Sequence, residues 1–227
     1  MNVEGGVERP VRVDVHEDRL VRRLCPCRGD AVEGMGRETA QVDCFVVVTG
    51  GPGSGKTTLL EGLGHQGWAS TLEAGRGVIH DQTAIGGSAL PWADRALFAE
   101  LMLSWEMRSY RWAQQQTGVV LFDRGVPDVV GYLRLAGLPV PAHVFAAAES
   151  FRYHRQVLTA PPWPEIFSQD RERTQDLAEA ERTYDAMVEI YTELGYEVID
   201  LPRVDVATRI EFVTARITSG DDTAAAR

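Results

Sequence analysis

Of the 23 lysine and arginine residues in the chain only one is a lysine, and it stands in the segment Gly50-Gly51-Pro52-Gly53-Ser54-Gly55-Lys56-Thr57. Arginine serves every other basic position, so the lone ammonium marks a place where a guanidinium is no substitute. The segment fits the pattern of a glycine, four residues, then Gly-Lys-Ser/Thr, in which successive backbone N–H groups wrap phosphate oxygens. Lysine acts there as a compact point charge, which the wider arginine fork does not reproduce. On this reading Gly51, Gly53, Ser54, Gly55, Lys56, Thr57 and Thr58 bind a nucleoside triphosphate. Lys56 reaches its β and γ phosphates, and the Thr57 hydroxyl holds Mg²⁺.

Further candidates follow from residue type and place. Asp123 ends the apolar run Val119-Val120-Leu121-Phe122. A carboxylate at the carboxyl edge of a parallel sheet can hold the water shell of Mg²⁺ or take a proton from an acceptor hydroxyl; its alternative is a helix N-cap. Arg124, next along, can grip an anion two oxygens at a time, or form a surface ion pair. Glu73 and Arg76 are spaced i,i+3 beyond a short predicted strand, so both can face one substrate pocket or simply pair with each other. Arg171 and Arg173 lie in a loop preceded by Pro161-Pro162-Trp163-Pro164. A flap carrying them would exclude water and stabilise charge on a transferred phosphoryl group, unless they form an exposed charge run.

These residues need a scaffold. Cys44 to Thr49 is an uninterrupted apolar run of the kind expected for a strand buried on both faces. The glycine loop follows it, and Lys56 to about Leu63 reads as a helix closed by Gly62 and Gly64. Next come a short strand near 68–72, a long amphipathic helix over 93–116, the strand ending at Asp123, helices near 127–136 and 141–151, and a weaker strand at 156–159. The prolines then force a loop. A helix over about 174–194, a strand at 196–201 and a helix at 204–217 complete the series. Such alternation implies a three-layer α/β/α sandwich on a mainly parallel sheet. Residues 1–41 read as an extension, 42–219 as the domain and 220–227 as a tail.

Composition excludes several classes. At 227 residues, 44% hydrophobic and 25% charged, the chain suits one globular domain without staples. No apolar run reaches the ~20 residues of a membrane span, and residues 1–6 carry no cationic region followed by an apolar one, so a cytoplasmic location is expected. The net charge of −10 argues against general nucleic-acid binding. Residues 1–41 hold seven arginines against eight acidic residues, which is no polybasic arm. Cys25, Cys27 and Cys44 make an odd count that points to reduced thiols; with His16 they give only a fragment of a metal pattern. His80, His143 and His154 have no spacing that suggests chemistry.

The sequence resembles the small AAA-type ATPase domain family AAA_28, which groups with P-loop kinases rather than hexameric AAA+ machines. The likeness spans about residues 44–217. It rests on Val46 to Leu60, Glu73-Ala74-Gly75-Arg76, Leu90-Pro91-Trp92, Phe122 to Asp128, Pro161-Pro162-Trp163 and Leu194-Gly195-Tyr196. The Asp123-Arg124 step is similar to one that thymidylate and deoxynucleoside kinases place near the acceptor, and the late arginines look like a kinase lid. The resemblance implies a P-loop NTPase fold of five strands in the order 2-3-1-4-5, with the Asp123 strand beside the loop strand, and a monomer or homodimer.

The expected activity is Mg²⁺-dependent transfer of the γ-phosphoryl of ATP to a small-molecule hydroxyl or phosphate. Lys56, Asp123, Arg124, Arg171 and Arg173 would carry the chemistry, Thr57 and Asp123 the metal, and Glu73, Arg76 and Arg124 the acceptor. ATP is the prior over GTP because an Asn-Lys-x-Asp guanine-reading motif needs a second lysine, and GTP binding by other contacts stays open. The alternative is a nucleotide-dependent switch or slow NTPase that answers to a protein partner.

Overall fold

Every residue of β1 (Phe45–Gly50) is buried, because helices cover both faces of the sheet at whose centre it lies. The computed structural model describes residues 42–167 and 176–219. After β1 the chain forms α1 (Lys56–His65), β2 (Ala69–Ser70), α2 (Ala74–Ile85), α3 (Arg95–Ala113) and β3 (Val120–Asp123). It continues with α4 (Val126–Leu135), α5 (Ala142–Ser150), β4 (Gln156–Ala160), α6 (Leu177–Glu193), β5 (Glu197–Asp200) and α7 (Val206–Ser219). The sheet is parallel throughout, in the order β2-β3-β1-β4-β5. The expected three-layer P-loop NTPase architecture and strand order are therefore both present.

Side chains alternate across a strand, and here each face feeds its own core. Phe45, Val47, Val120, Phe122 and Val157 pack with residues of α2 to α6, whereas Val46, Val48, Leu121 and Leu158 pack with α1 and α7. Fully burying each such side chain is worth roughly 1.5–3 kcal/mol, so the strands tie both layers to one rigid edge. Register then sets the site. Val48 lies opposite Asp123 and Gly50 opposite Ala160, which brings the glycine loop, the end of β3 and the segment after β4 to the same carboxyl edge.

Two local expectations change. Helix α1 runs through Gly62 and Gly64 to His65 instead of closing at them. A Cβ on Gly62 would lie 2.6 Å from Ile210 Cδ1, so this glycine lets α7 approach closely and does not cap the helix. Cys44 is disulfide-bonded rather than reduced; an odd cysteine count does not forbid a pair. Among the described residues no helix is long and apolar enough to cross a membrane.

Candidate nucleotide and acceptor site

Helix α1 begins at Lys56 with Gly55 as its N-cap, at φ 77°, and no side chain caps its first amides. A glycine takes that left-handed conformation at no steric cost, and the uncapped N–H groups, with the positive end of the helix dipole, make a binding place for an anion. Lys56 is buried, and its ammonium donates to Gly50 O at 3.1 Å, Gly51 O at 2.6 Å and Ser54 Oγ at 3.3 Å. Ser54 Oγ donates in turn to Gly51 O at 2.8 Å. The loop is thus folded around its own cation, which presents the outer rim of amides to the cavity.

That cavity has a volume of about 510 Å³, and Pro52, Gly53, Ser54, Gly55, Lys56, Thr57 and Thr58 form one wall. Opposite stand Trp163, Ile166 and Phe167 from the turn after β4, with Val204 to Val206 and Arg209. Arg209, on α7, is 2% exposed; it donates from Nη1 to Ser54 O at 3.0 Å, and its guanidinium carbon lies 5.7 Å from the centre of the Trp163 ring. Burial lowers the pKa of this arginine. It fixes the loop backbone from the far end of the chain, and no spacing in the sequence signals it.

A second cavity of about 440 Å³ adjoins the first, and Pro52, Glu73 and Arg76 line both. Its walls are largely apolar, with Phe98 and Met102 from α3, Val129 and Tyr132 from α4, and Met187 from α6. Arg124 forms its inner charged corner. The guanidinium donates from Nε to Glu73 Oε1 at 3.2 Å and from Nη1 to Asp128 Oδ1 at 3.1 Å. Burial alone would lower its pKa, but Glu73, Asp128 and Asp123 outweigh that and hold it well above the usual arginine value. Arg124 is also, among the described residues, the one non-glycine with positive φ, at 76°. Such a conformation costs of order 1–3 kcal/mol and persists where surrounding contacts over-determine it; the two carboxylates and the Arg124 N–H···O bond to Val48, at 3.1 Å, do so here.

Asp128 is the hub that sequence reasoning missed. It is 5% exposed and accepts hydrogen bonds from Thr49 Oγ1, Arg124, the Gly125 N–H at 2.9 Å and Tyr191 Oη at 2.7 Å. Burial raises the Tyr191 hydroxyl pKa, which keeps it a donor. The available signal was the i,i+4 spacing from Arg124 at a helix start.

Of the predicted residues, Lys56, Thr57, Thr58, Glu73 and Arg76 come together at the cavities, and Arg76 Nε lies 3.8 Å from Glu73 Oε2. Asp123 is 7% exposed at the end of β3, takes a backbone contact to Thr71 Oγ1 at 3.2 Å, and lines neither cavity. Arg171 and Arg173 lie outside the described residues, as do residues 1–41.

The donor chemistry fits Mg²⁺. Thr57 brings a hydroxyl to the loop cavity and Asp123 a carboxylate to the neighbouring strand end, both hard oxygen donors. Among the described residues no group of three or more His, Cys, Asp or Glu side chains is arranged to hold a metal. A cation here would draw its other ligands from phosphate and water, as Mg²⁺ commonly does.

Comparison with known proteins agrees with this geometry. The chain is similar to deoxyadenosine kinase from M. mycoides with bound dATP, at 14% identity and a TM-score of 0.54 over 77% of this chain and 98% of that one. It is similar to NadR in complex with NR, at 18% identity and a TM-score of 0.55, over 78% of this chain and 51% of that one. Thymidylate kinase from Ehrlichia chaffeensis superposes with a TM-score of 0.51 at 14% identity, over 78% of this chain and 97% of that one. No curated protein matches the sequence. At these identities the neighbours establish the fold alone. The model of the AAA domain family AAA_28, however, matches residues 45–209, from the first residue of β1 to the arginine that braces the glycine loop, and the chain belongs to that family.

Proposed function

We propose that this chain is a phosphotransferase that moves the γ-phosphoryl group of ATP to a hydroxyl or phosphate oxygen of a small molecule. The observation that carries the reading is the pair of cavities joined at Glu73 and Arg76, one walled by the glycine loop and one mostly apolar. A switch that only binds and hydrolyses nucleotide needs the first and has no use for the second. The nucleoside and nucleotide kinases of like fold support the same reading.

In this scheme the triphosphate lies along the loop with its γ-phosphorus toward Glu73. Lys56 exchanges the loop carbonyls for β and γ oxygens, and the α1 amides hold the rest. Thr57, with Asp123 at the neighbouring strand end acting through the water shell, would hold Mg²⁺, which would supply positive charge to the phosphates. The acceptor oxygen forms a bond to the γ-phosphorus as the bond from that phosphorus to the β,γ-bridging oxygen breaks, and the electron pair leaves with ADP. For a hydroxyl acceptor the proton passes to the Glu73 carboxylate, which stands between the two cavities. Arg124, held by two carboxylates, fixes the orientation of Glu73; Arg171 and Arg173 act as clamps on the transferred group.

The test is ATP consumption with and without nucleosides, sugars and antibiotics. Stimulation of at least about tenfold by one small-molecule class is expected, since acceptor binding completes the site. Turnover indifferent to all of them but raised by a protein fraction would establish the switch instead. Asp123→Asn should leave nucleotide affinity intact and slow transfer by ~100-fold or more; unchanged turnover would reduce Asp123 to a structural role.

A further inference from the structure

Two residues that line the second cavity each carry a buried polar atom with no hydrogen-bond partner among the described residues. Glu106, on α3, is 3% exposed, and its Oε2 has no hydrogen-bond partner among the described residues. Tyr132, on α4, has its hydroxyl in the same condition. Both line the 440 Å³ cavity, from opposite helices. An unmade hydrogen bond on a buried group costs about 1–3 kcal/mol, so two such groups on one pocket are a standing penalty that a ligand with matching atoms removes. The surroundings restrict that ligand. Phe98 packs edge-on against Tyr132 at 5.3 Å, and Phe98, Met102, Val129 and Met187 offer only apolar surface. Charged groups of both signs stand around them, Arg76, Arg95, Arg124 and Arg182 with Glu73 and Asp128.

We infer that Glu106 and Tyr132 are the specificity-determining residues of the acceptor cavity, and that they read the hydrogen-bonding edge of a ring compound of nucleoside size that carries the accepting oxygen at its other end. The inference rests on the phosphotransferase reading and deepens it. Glu106 supplies a carboxyl oxygen, and O–H when protonated, while Tyr132 supplies one hydroxyl; together they can meet a ring edge that both donates and accepts. The ring lies between the Phe98–Met102 wall and the Val129–Met187 wall, which leaves the accepting oxygen near Glu73 and Arg124.

The experiment titrates deoxyadenosine, deoxyguanosine, deoxycytidine, thymidine and benzimidazole deoxyriboside into wild-type protein, Glu106→Gln, Glu106→Leu and Tyr132→Phe, after each has been titrated with a non-hydrolysable MgATP analogue. Benzimidazole keeps the flat ring but lacks the polar edge. In wild type at least one natural nucleoside should bind ten- to a hundredfold more tightly than benzimidazole deoxyriboside, since a site built to hydrogen-bond rejects the analogue without the partner atoms. That ratio should fall to within about threefold of one in Glu106→Leu, shrink partly in Tyr132→Phe, and change which nucleoside is preferred in Glu106→Gln. Leucine is close to glutamate in size, and circular dichroism checks that each variant is folded before its discrimination is read. A discrimination ratio unchanged in Glu106→Leu overturns the assignment, and so does the failure of every nucleoside to bind wild-type protein that binds the MgATP analogue. Absence of analogue binding in folded wild type removes the phosphotransferase reading itself and the assignment with it.

Discussion

The phosphate cradle is one contiguous stretch, Gly50 to Thr58, and its cation bonds to carbonyls six or fewer residues away. The acceptor cavity beside it is drawn from α2, α3, α4 and α6, with Arg124 bonded to Glu73 across 51 positions and Asp128 to Tyr191 across 63. Local construction makes the cradle tolerant of change elsewhere in the chain and intolerant of change within it. Non-local construction makes the acceptor cavity depend on how four helices pack against the sheet, so its shape varies as its ring of helices varies.

The sharpest way to break that contrast is Lys56→Ala. Because the lysine's bonds to Gly50, Gly51 and Ser54 lie within the loop, the variant should fold with an unchanged thermal midpoint to within a few degrees while turnover falls on the order of 10³-fold, as for removal of a group aimed at transition-state charge. Full activity would end the nucleotide reading.

Asp128→Ala should behave in the opposite way. It removes the acceptor of four hydrogen bonds and leaves Arg124 with one carboxylate, so unfolding free energy should fall by about 3 kcal/mol, since breaking a buried pair strands a charge. Chemical denaturation checks this, and the loss of acceptor affinity should exceed any loss of nucleotide affinity. A variant as stable as wild type would mean that the Arg124 strain is held by β3 alone.

The smallest effect expected is a pH dependence. Burial, then the charges of Asp128 and Asp123, raise the Glu106 pKa well above its ordinary 4.5, with Glu73 adding to the rise and Arg124 opposing it. A carboxyl with a raised folded pKa contributes stability that is fully present below the unfolded pKa and is lost as pH rises through the folded one. Thermal midpoints should therefore drop from pH 4.5 upward more steeply in wild type than in Glu106→Gln, whose amide does not titrate. Parallel curves would show that the carboxyl reaches solvent.

The sequence by itself determined the cradle and the layering. A glycine-rich turn between an apolar run and a helix has few conformations that bury the run and leave the amides outward, so Lys56 and Thr57 could be placed at the start of a helix beside that turn without knowing the fold. The period and order of the apolar runs likewise specified a parallel sheet with helices on both faces. Only tertiary structure decided what surrounds the cradle. Gly62 looked like a helix stop until Ile210 stood against it. Asp128 was only the last residue of the Phe122 to Asp128 stretch until Thr49, Arg124 and Tyr191 converged on it. Arg209 and Glu106 carried no local signal, because the burial that makes a charged group consequential is produced by segments distant in the chain.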